Sequence, residues 1–273
     1  MDTVQTQGLT IPRLGFGTFR MPGNECQPVV ESALELGYRH IDTAEMYQNE
    51  GAVGAAIAAS GIARSALHIT TKVWHEHLAP DAIRRSLGVS LEKLGVDFVD
   101  LYMIHWPSTN MDLPAVIETI QQLQEEGLTR AIGVCNFNMQ LLKIVVEDIG
   151  TSIACHQVEY HPFLEQDAML AYLRARDIPL VAYAPLAQGR AATDPVLSRI
   201  GVKHGATAAQ VAIAWLLDQP GVVAIPKAQR RESQLANLDA LRIRLDDSDR
   251  ATIAALPKNQ RFVNPPFAPQ WDA

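Results

Sequence analysis

Along the chain, stretches in which apolar residues recur every third or fourth position alternate with short aliphatic and β-branched runs, and a glycine usually stands between them. The first spacing is that of an amphipathic helix and the second that of a buried strand. A helix closing at Gly37 precedes Tyr38-Arg39-His40-Ile41-Asp42, and another, over Ala52 to Ala59, stops near Gly61 ahead of His68 to Val73. Pro80 opens a helix whose Ile83, Leu87, Leu91 and Leu94 share one face; Gly95 ends it before a strand over Phe98 to Ile104. Val116, Ile117, Ile120 and Leu123 mark the next helix, closed at Gly127 ahead of Ala131 to Val134. Leu141 to Val146 leads through Gly150 to a strand from Ile153 to Val158, and Met169 to Arg176 leads to Leu180 to Tyr183. Thr207 caps a helix through Leu217, which Pro220-Gly221 separates from Val222 to Ile225. With Leu14 to Thr18 in front, the predicted strands number eight.

Strands that alternate with helices pair in parallel, and eight such units close into a (β/α)8 TIM barrel. An open doubly wound sheet is the alternative. Residues 1–273 read as one domain, with a β-hairpin around Gln7-Gly8 as a plug for the barrel floor and a non-helical tail from Pro257. A net charge of −7 and the lack of any Lys/Arg-rich run argue against a nucleic-acid partner. The longest apolar run, Val211 to Leu217, is too short to span a bilayer, so no membrane association is expected. Three cysteines without C-x-x-C spacing fit a reducing compartment, and no secretory signal is visible; the expected location is the cytoplasm.

In such a barrel the chemistry sits at the C-terminal ends of the strands. Those positions hold Asp42 after the second predicted strand, Lys72 at the end of the third and His105 at the end of the fourth, with Tyr47 in the loop after Asp42. Each alone has a bland explanation, as a loop cap or a rim charge; their convergence from three adjacent strands points to a site. Carbonyl reduction needs a hydride donor and a proton donor. A phenol is too weak an acid for this at neutral pH unless a neighbouring ammonium favours its anion.

The segments Ile41 to Glu50, Thr71-Lys72-Val73-Trp74 and Ile104-His105-Trp106-Pro107 resemble the signatures of the aldo-keto reductase superfamily. Gly133 to Phe137, Gln157 to Pro162 and Ala182 to Leu186 are similar to its cofactor-binding segments, in register from about Leu14 to Asn237. Within the superfamily the chain looks closest to the bacterial 2,5-diketo-D-gluconate reductases. The resemblance implies that Tyr47 is the general acid, that Lys72 and Asp42 tune it, and that His105 orients the carbonyl. It implies NADPH as cofactor, with NADH weaker, a small carbonyl substrate and a monomer without an obligate protein partner. Asn136 and Gln157 would bind the nicotinamide carboxamide, Tyr183 would stack on its ring, and Cys135 and Leu186 would line the same site. Cys135 stands where the family usually has serine. Phe19, Trp74 and Trp106 would wall the substrate pocket, with Phe267 or Trp271 closing it from the tail. For the 2′-phosphate and adenine, Lys227 and Asn237 match the family pattern, but Ser233 replaces an arginine and Ala228 a hydroxyl residue. Arg230 or Arg231 would stand in, with solvated surface charge as the plain alternative.

Other motifs lead elsewhere. Gly15-Phe16-Gly17 begins like a dinucleotide fingerprint, but Arg20 occupies the third glycine's position, and the segment reads as the first strand. His75-Glu76-His77 lacks further ligands and reads as a polar loop, so no metal is expected. A cofactor-sensing barrel without catalysis, and an aldolase using Lys72 as a Schiff-base amine, are the rival functions. The complete tetrad opposes the first and the Asp42 partner of Lys72 the second.

Overall fold

A computed structural model of the chain describes residues 2–272. Two antiparallel strands come first, β1 (Thr3–Thr6) and β2 (Leu9–Pro12), turning through Gln7 and Gly8 at φ 44° and 76°. Eight parallel strands then follow in chain order around one curled sheet: β3 (Phe16–Gly17), β4 (His40–Asp42), β5 (His68–Val73), β6 (Val99–Ile104), β7 (Thr129–Cys135), β8 (His156–Glu159), β9 (Leu180–Tyr183) and β10 (Val222–Ala224). The helices between and after them are α1 (Gly23–Leu36), α2 (Glu50–Ser60), α3 (Pro80–Leu94), α4 (Leu113–Glu125), α5 (Met139–Lys143), α6 (Asp167–Arg174), α7 (Arg190–Thr193), α8 (Pro195–His204), α9 (Ala208–Asp218), α10 (Arg231–Asp239) and α11 (Asp247–Ala254). This is the (β/α)8 barrel that the alternation predicts. Among the described residues, no helix is long and apolar enough to cross a membrane.

The sheet shuts where the segment before β3 meets β10. Gly15 N–H donates to Ala224 O at 2.8 Å, Ala224 N–H to Arg13 O at 2.8 Å, and Gly17 N–H to Pro226 O at 3.2 Å. A Cβ on Gly17 would lie 2.8 Å from Ile225 O, and one on Gly15 would lie 2.6 Å from His40 Nδ1. Gly17 therefore lets two backbones approach at the seam, and Gly15 leaves room for the His40 and Ile225 side chains, which is the physical reason the Gly-Phe-Gly sequence begins like a fingerprint without being one. The Arg13 guanidinium reinforces the seam by donating to the carbonyls of Val222 (3.1 Å), Gln219 (2.8 Å) and Leu217. The last two lie at the C-terminus of α9, where free carbonyls favour a cation.

Alternation along each strand divides two cores. Inward residues Leu101, Met103, Ala131, Cys135, Val181 and Val223 fill the barrel with Leu9 and Ile11 of the hairpin, whose Thr6 hydroxyl donates to Ala154 O at 2.9 Å. Outward residues such as Ile41, Ile69, Tyr102 and Val134 pack under the helices against Val30, Val53, Ile83 and Ile213.

Several boundaries differ from the sequence reading. Of the predicted first strand, only Phe16–Gly17 pairs regularly; at the seam Leu14 forms a single bridge to Ala224. Strand β8 starts at His156 rather than Ile153, and α5 passes into a π turn over Ile144–Asp148. Helices α8 and α11 were not drawn out by apolar spacing. Each begins at an aspartate cap, Asp194 accepting from Val196 and Leu197 N–H, and Asp246 from Asp249 N–H.

Buried histidines, His40, His68 and His156 among them, are expected to make the fold sensitive to acid. His40 and His68 meet edge to face, with ring centroids 4.6 Å apart, and neither ring nitrogen of His156 finds a partner among the described residues. Burial holds His40 below and His68 well below the usual value, and lowers His156 to about 3. With folded pKa values depressed, their contribution is fully present above the unfolded value near ~6.5. It is lost as pH falls from there toward the folded values, because the unfolded chain takes up the protons first. The urea-unfolding free energy should therefore fall as pH drops below neutrality, by up to about 1.4 kcal/mol per pH unit for each histidine. His156→Leu should reduce that slope by about one proton, and an unchanged slope would assign the acid sensitivity to other groups.

Candidate active site

The mouth of the barrel gathers side chains from the ends of adjacent strands. Asp42 is the last residue of β4, Lys72 lies one residue from the end of β5, and His105 follows β6 directly. Tyr47 ends a 3₁₀ turn, Glu45–Tyr47, closed by Gln48 in the left-handed conformation at φ 56°. Buried Asn49 braces that loop. Its amide donates to Thr18 O (2.9 Å) and Met21 O (3.1 Å), and its oxygen accepts from the Thr43 hydroxyl (3.0 Å).

Lys72 is fully buried. Its Nζ donates to Asp42 Oδ1 at 2.5 Å and Thr43 O at 2.9 Å, and lies 5.2 Å from the centre of the Tyr47 ring. The second Asp42 oxygen accepts from Gln157 Nε2 at 2.9 Å, so both are used. Burial works against the ammonium, but facing Asp42 and Tyr47 more than offset it and raise the Lys72 pKa. For Tyr47, burial is the larger influence and pushes the phenol up to about 12, while the Lys72 ammonium pulls it the other way. The net depression expected from sequence is thus a correction: in the free chain, desolvation outweighs the ammonium and Tyr47 keeps its proton at neutral pH. Burial, followed by Lys72, holds the His105 imidazole well below its usual value, so it is neutral. Its ring stands edge-on to Tyr47 (5.4 Å) and Trp74 (5.3 Å). The site therefore presents a protonated phenol and a neutral imidazole beside a buried, paired ammonium.

Aromatic side chains wall this site. Phe19 lies 5.0 Å from the Tyr47 ring. Phe267 of the tail lies 5.5 Å from Trp74 and 5.6 Å from Trp106, and Trp271 lies 6.1 Å from Trp106. His75 stacks on Phe267 at 4.0 Å, and His77 meets Glu45 at 3.1 Å. Among the described residues, no group of three His, Cys, Asp or Glu side chains could hold a metal ion.

Opposite Lys72, Asn136 follows β7 at φ 60°, a conformation asparagine tolerates. Its Nδ2 donates to His105 O (2.9 Å) and its Oδ1 accepts from the Tyr183 hydroxyl (2.7 Å). Cys135 turns into the barrel, its sulfur 3.7 Å from that of Met103. Leu186 is half-buried in the loop after β9. Farther round, Lys227 and Arg230 are exposed, and among the described residues their side chains make no hydrogen bond or ion pair. Arg231 is different: its Nη1 meets Glu35 at 2.8 Å and the Ser32 hydroxyl at 3.1 Å, both on α1. Asn237 is buried with Nδ2 unpartnered.

Sequence reasoning assigned no role to Glu45, which accepts the Trp74 main-chain N–H and so holds the loop carrying that residue. It missed the Gln157–Asp42 link as well. The signal available was position alone, since both residues fall inside recognised motifs.

The aldo/keto reductase family profile matches residues 13–258. A methylglyoxal reductase, DkgB, of Escherichia coli O157:H7 is 45% identical over 269 residues, covering 97% of this chain and 100% of the relative. A glyoxal reductase of Bacillus subtilis (strain 168) is 38% identical, covering 95% and 94%. A crystal structure provisionally named 2,5-diketo-D-gluconic acid reductase B superposes with a TM-score of 0.96 at 40% identity, covering 100% of this chain and 98% of that one. With a barrel of this topology and a match over most of its length, the chain belongs to the aldo/keto reductase family, enzymes that are oxidoreductases acting on carbonyls.

Proposed function

We propose that this enzyme reduces small aldehydes and α-dicarbonyls, diketo-sugar acids among them, using NADPH in preference to NADH and Tyr47 as the general acid. It would work as a cytoplasmic monomer without an obligate protein partner. The observation that carries the reading is the convergence of Tyr47, His105 and the buried Lys72–Asp42 pair beneath an aromatic wall. The names of the methylglyoxal and glyoxal reductase relatives support the substrate class.

The residues opposite Lys72 fit a nicotinamide. Among the described residues, Gln157 Oε1 accepts no hydrogen bond, and Asn136 Oδ1 has one donor and room for a second. Together with the Tyr183 ring, Leu186 and Cys135, they would hold the carboxamide end. When bound, the dihydronicotinamide supplies a hydride to the carbonyl carbon. Tyr47 and His105 bind the carbonyl oxygen, and Tyr47 donates its proton as negative charge develops there. Lys72 stabilises the phenolate left behind, and Asp42 fixes the ammonium in place. Because the Lys72 pKa is raised, it is unsuited to act as a free-amine nucleophile.

Tyr47→Phe should lower kcat for methylglyoxal by at least about a hundredfold, with the NADPH dissociation constant little changed in a fluorescence titration. Turnover within about tenfold of wild type would remove Tyr47 as the acid. Lys72→Met should be similarly severe, since nothing then opposes desolvation of the phenol; a pH profile matching wild type would refute the tuning role.

For the 2′-phosphate, Lys227 and Arg230 are the candidates, because Arg231 is committed to Glu35 on α1. The first turn of α10 adds free N–H groups, and Asn237 offers its unpartnered amide to the adenine. Arg230→Ala should raise the Michaelis constant for NADPH about tenfold, worth ~1.4 kcal/mol, and leave that for NADH unchanged. The same substitution at Arg231 should change neither much. Equal wild-type efficiency with both cofactors would show that Ser233, in place of arginine, decides the preference.

A further inference from the structure

Glu159 closes β8 two residues beyond Gln157 and has no exposed surface. The catalytic site does not use it. Its Oε1 accepts from Phe262 N–H at 2.7 Å and its Oε2 from Val263 N–H at 2.9 Å. His161 Nε2 lies 3.0 Å from Oε1, while Phe163 N–H donates to His161 Nδ1 at 3.3 Å. A neutral ring accepting at Nδ1 must carry its proton at Nε2, so His161 donates to Glu159. Three donors thus converge on one buried side chain, two of them from the main chain of the C-terminal tail.

The tail needs this. Beyond one bridge, Leu164 to Asn259, no ladder among the described residues satisfies its N–H groups. From Val263 it runs to Phe267, which covers Trp74, His75 and Trp106, and to Trp271 beside Trp106. Arg261, 3.9 Å from Glu159, lies 3.7 Å over the Trp271 ring, and the indole donates to Asn264 Oδ1 at 2.9 Å. The far end is fixed separately. Asp272 accepts from Met139 N–H at 2.8 Å, and Gln270 O from Asn138 at 2.9 Å.

We infer that Glu159 is a positioning residue that sets substrate size: by tethering the tail at Phe262 and Val263, it places Phe267 and Trp271 as the outer wall of the carbonyl pocket. The inference rests on the carbonyl-reductase reading for its kinetic consequence. The tether itself is independent of that reading.

Glu159→Gln keeps the shape but leaves a single acceptor oxygen, so an NH₂ group faces a main-chain N–H. Exchange of the Phe262 and Val263 amides should accelerate, measured by hydrogen–deuterium exchange without substrate. With methylglyoxal the KM should rise by about fivefold while kcat and NADPH affinity stay near wild type, as expected for lost binding alone. Phe267→Ala should raise KM comparably, and Glu159→Gln on that background should add less than about twofold, because the two act through one element. Val263→Pro, which deletes a donor and spares the carboxylate, should reproduce the KM rise should the glutamine variant not fold. Unchanged exchange at both amides, unchanged KM, or full additivity with Phe267→Ala would each overturn the inference. A wild-type protein inactive on every carbonyl tested would refute the functional reading instead, and the exchange experiment would still decide the tether.

Discussion

A single ammonium inside a barrel dictates much of this molecule. Lys72 has no exposed surface, and an unpaired charge at such a position would cost several kcal/mol. The chain meets that cost with Asp42 on the neighbouring strand and the Thr43 carbonyl. This fixes the register of β4 against β5 and the path of the loop that carries Tyr47. Asp42 in turn accepts from Gln157 on β8, across the barrel. The side that carries Lys72 and the side that carries Gln157 are therefore joined through one carboxylate.

Beneath this charged layer lies a soft one. Cys135 and Cys155 both point at the Met103 sulfur, at 3.7 and 3.6 Å, with Leu9 and Ile11 of the hairpin closing the floor. Burial drives both thiols upward, Cys135 well above its usual value, so they pack as small apolar groups and carry no thiolate chemistry. An apolar, polarisable floor lowers the screening around Lys72 and strengthens its hold on Asp42. The thiol at position 135 turns toward this floor.

How far the sequence disclosed this follows from what kind of partner each residue has. Asp42, Lys72 and His105 were legible because each is an inward residue at the end of a predicted strand, and such positions can be counted. The strands themselves were legible because glycine-ended helices alternate with aliphatic runs. Glu45 and Glu159 were not, because they bind main-chain N–H groups, which carry no mark in a sequence. That Arg231 is engaged by an ion pair was hidden for another reason: its partner, Glu35, is 196 residues away. Helices α8 and α11 escaped because polar caps rather than a long apolar stripe define them.

The seam at Arg13 has a bearing on how the chain reaches its native state. The guanidinium near the start of the chain caps carbonyls 204 to 209 positions later, and Gly15 and Gly17 pair with Ala224 of the last strand and Pro226 just beyond it. Loop-closure entropy over such a separation must be met before these contacts give anything back. During synthesis, the first strand waits with one edge unpaired until the eighth has left the ribosome. The hairpin of residues 3–12 lies directly before that edge, and its own pairing, Thr3 to Pro12, is local and forms early. A nascent chain thus carries a folded stub beside an open edge. Its period of greatest exposure to aggregation ends only when residues 222–226 arrive.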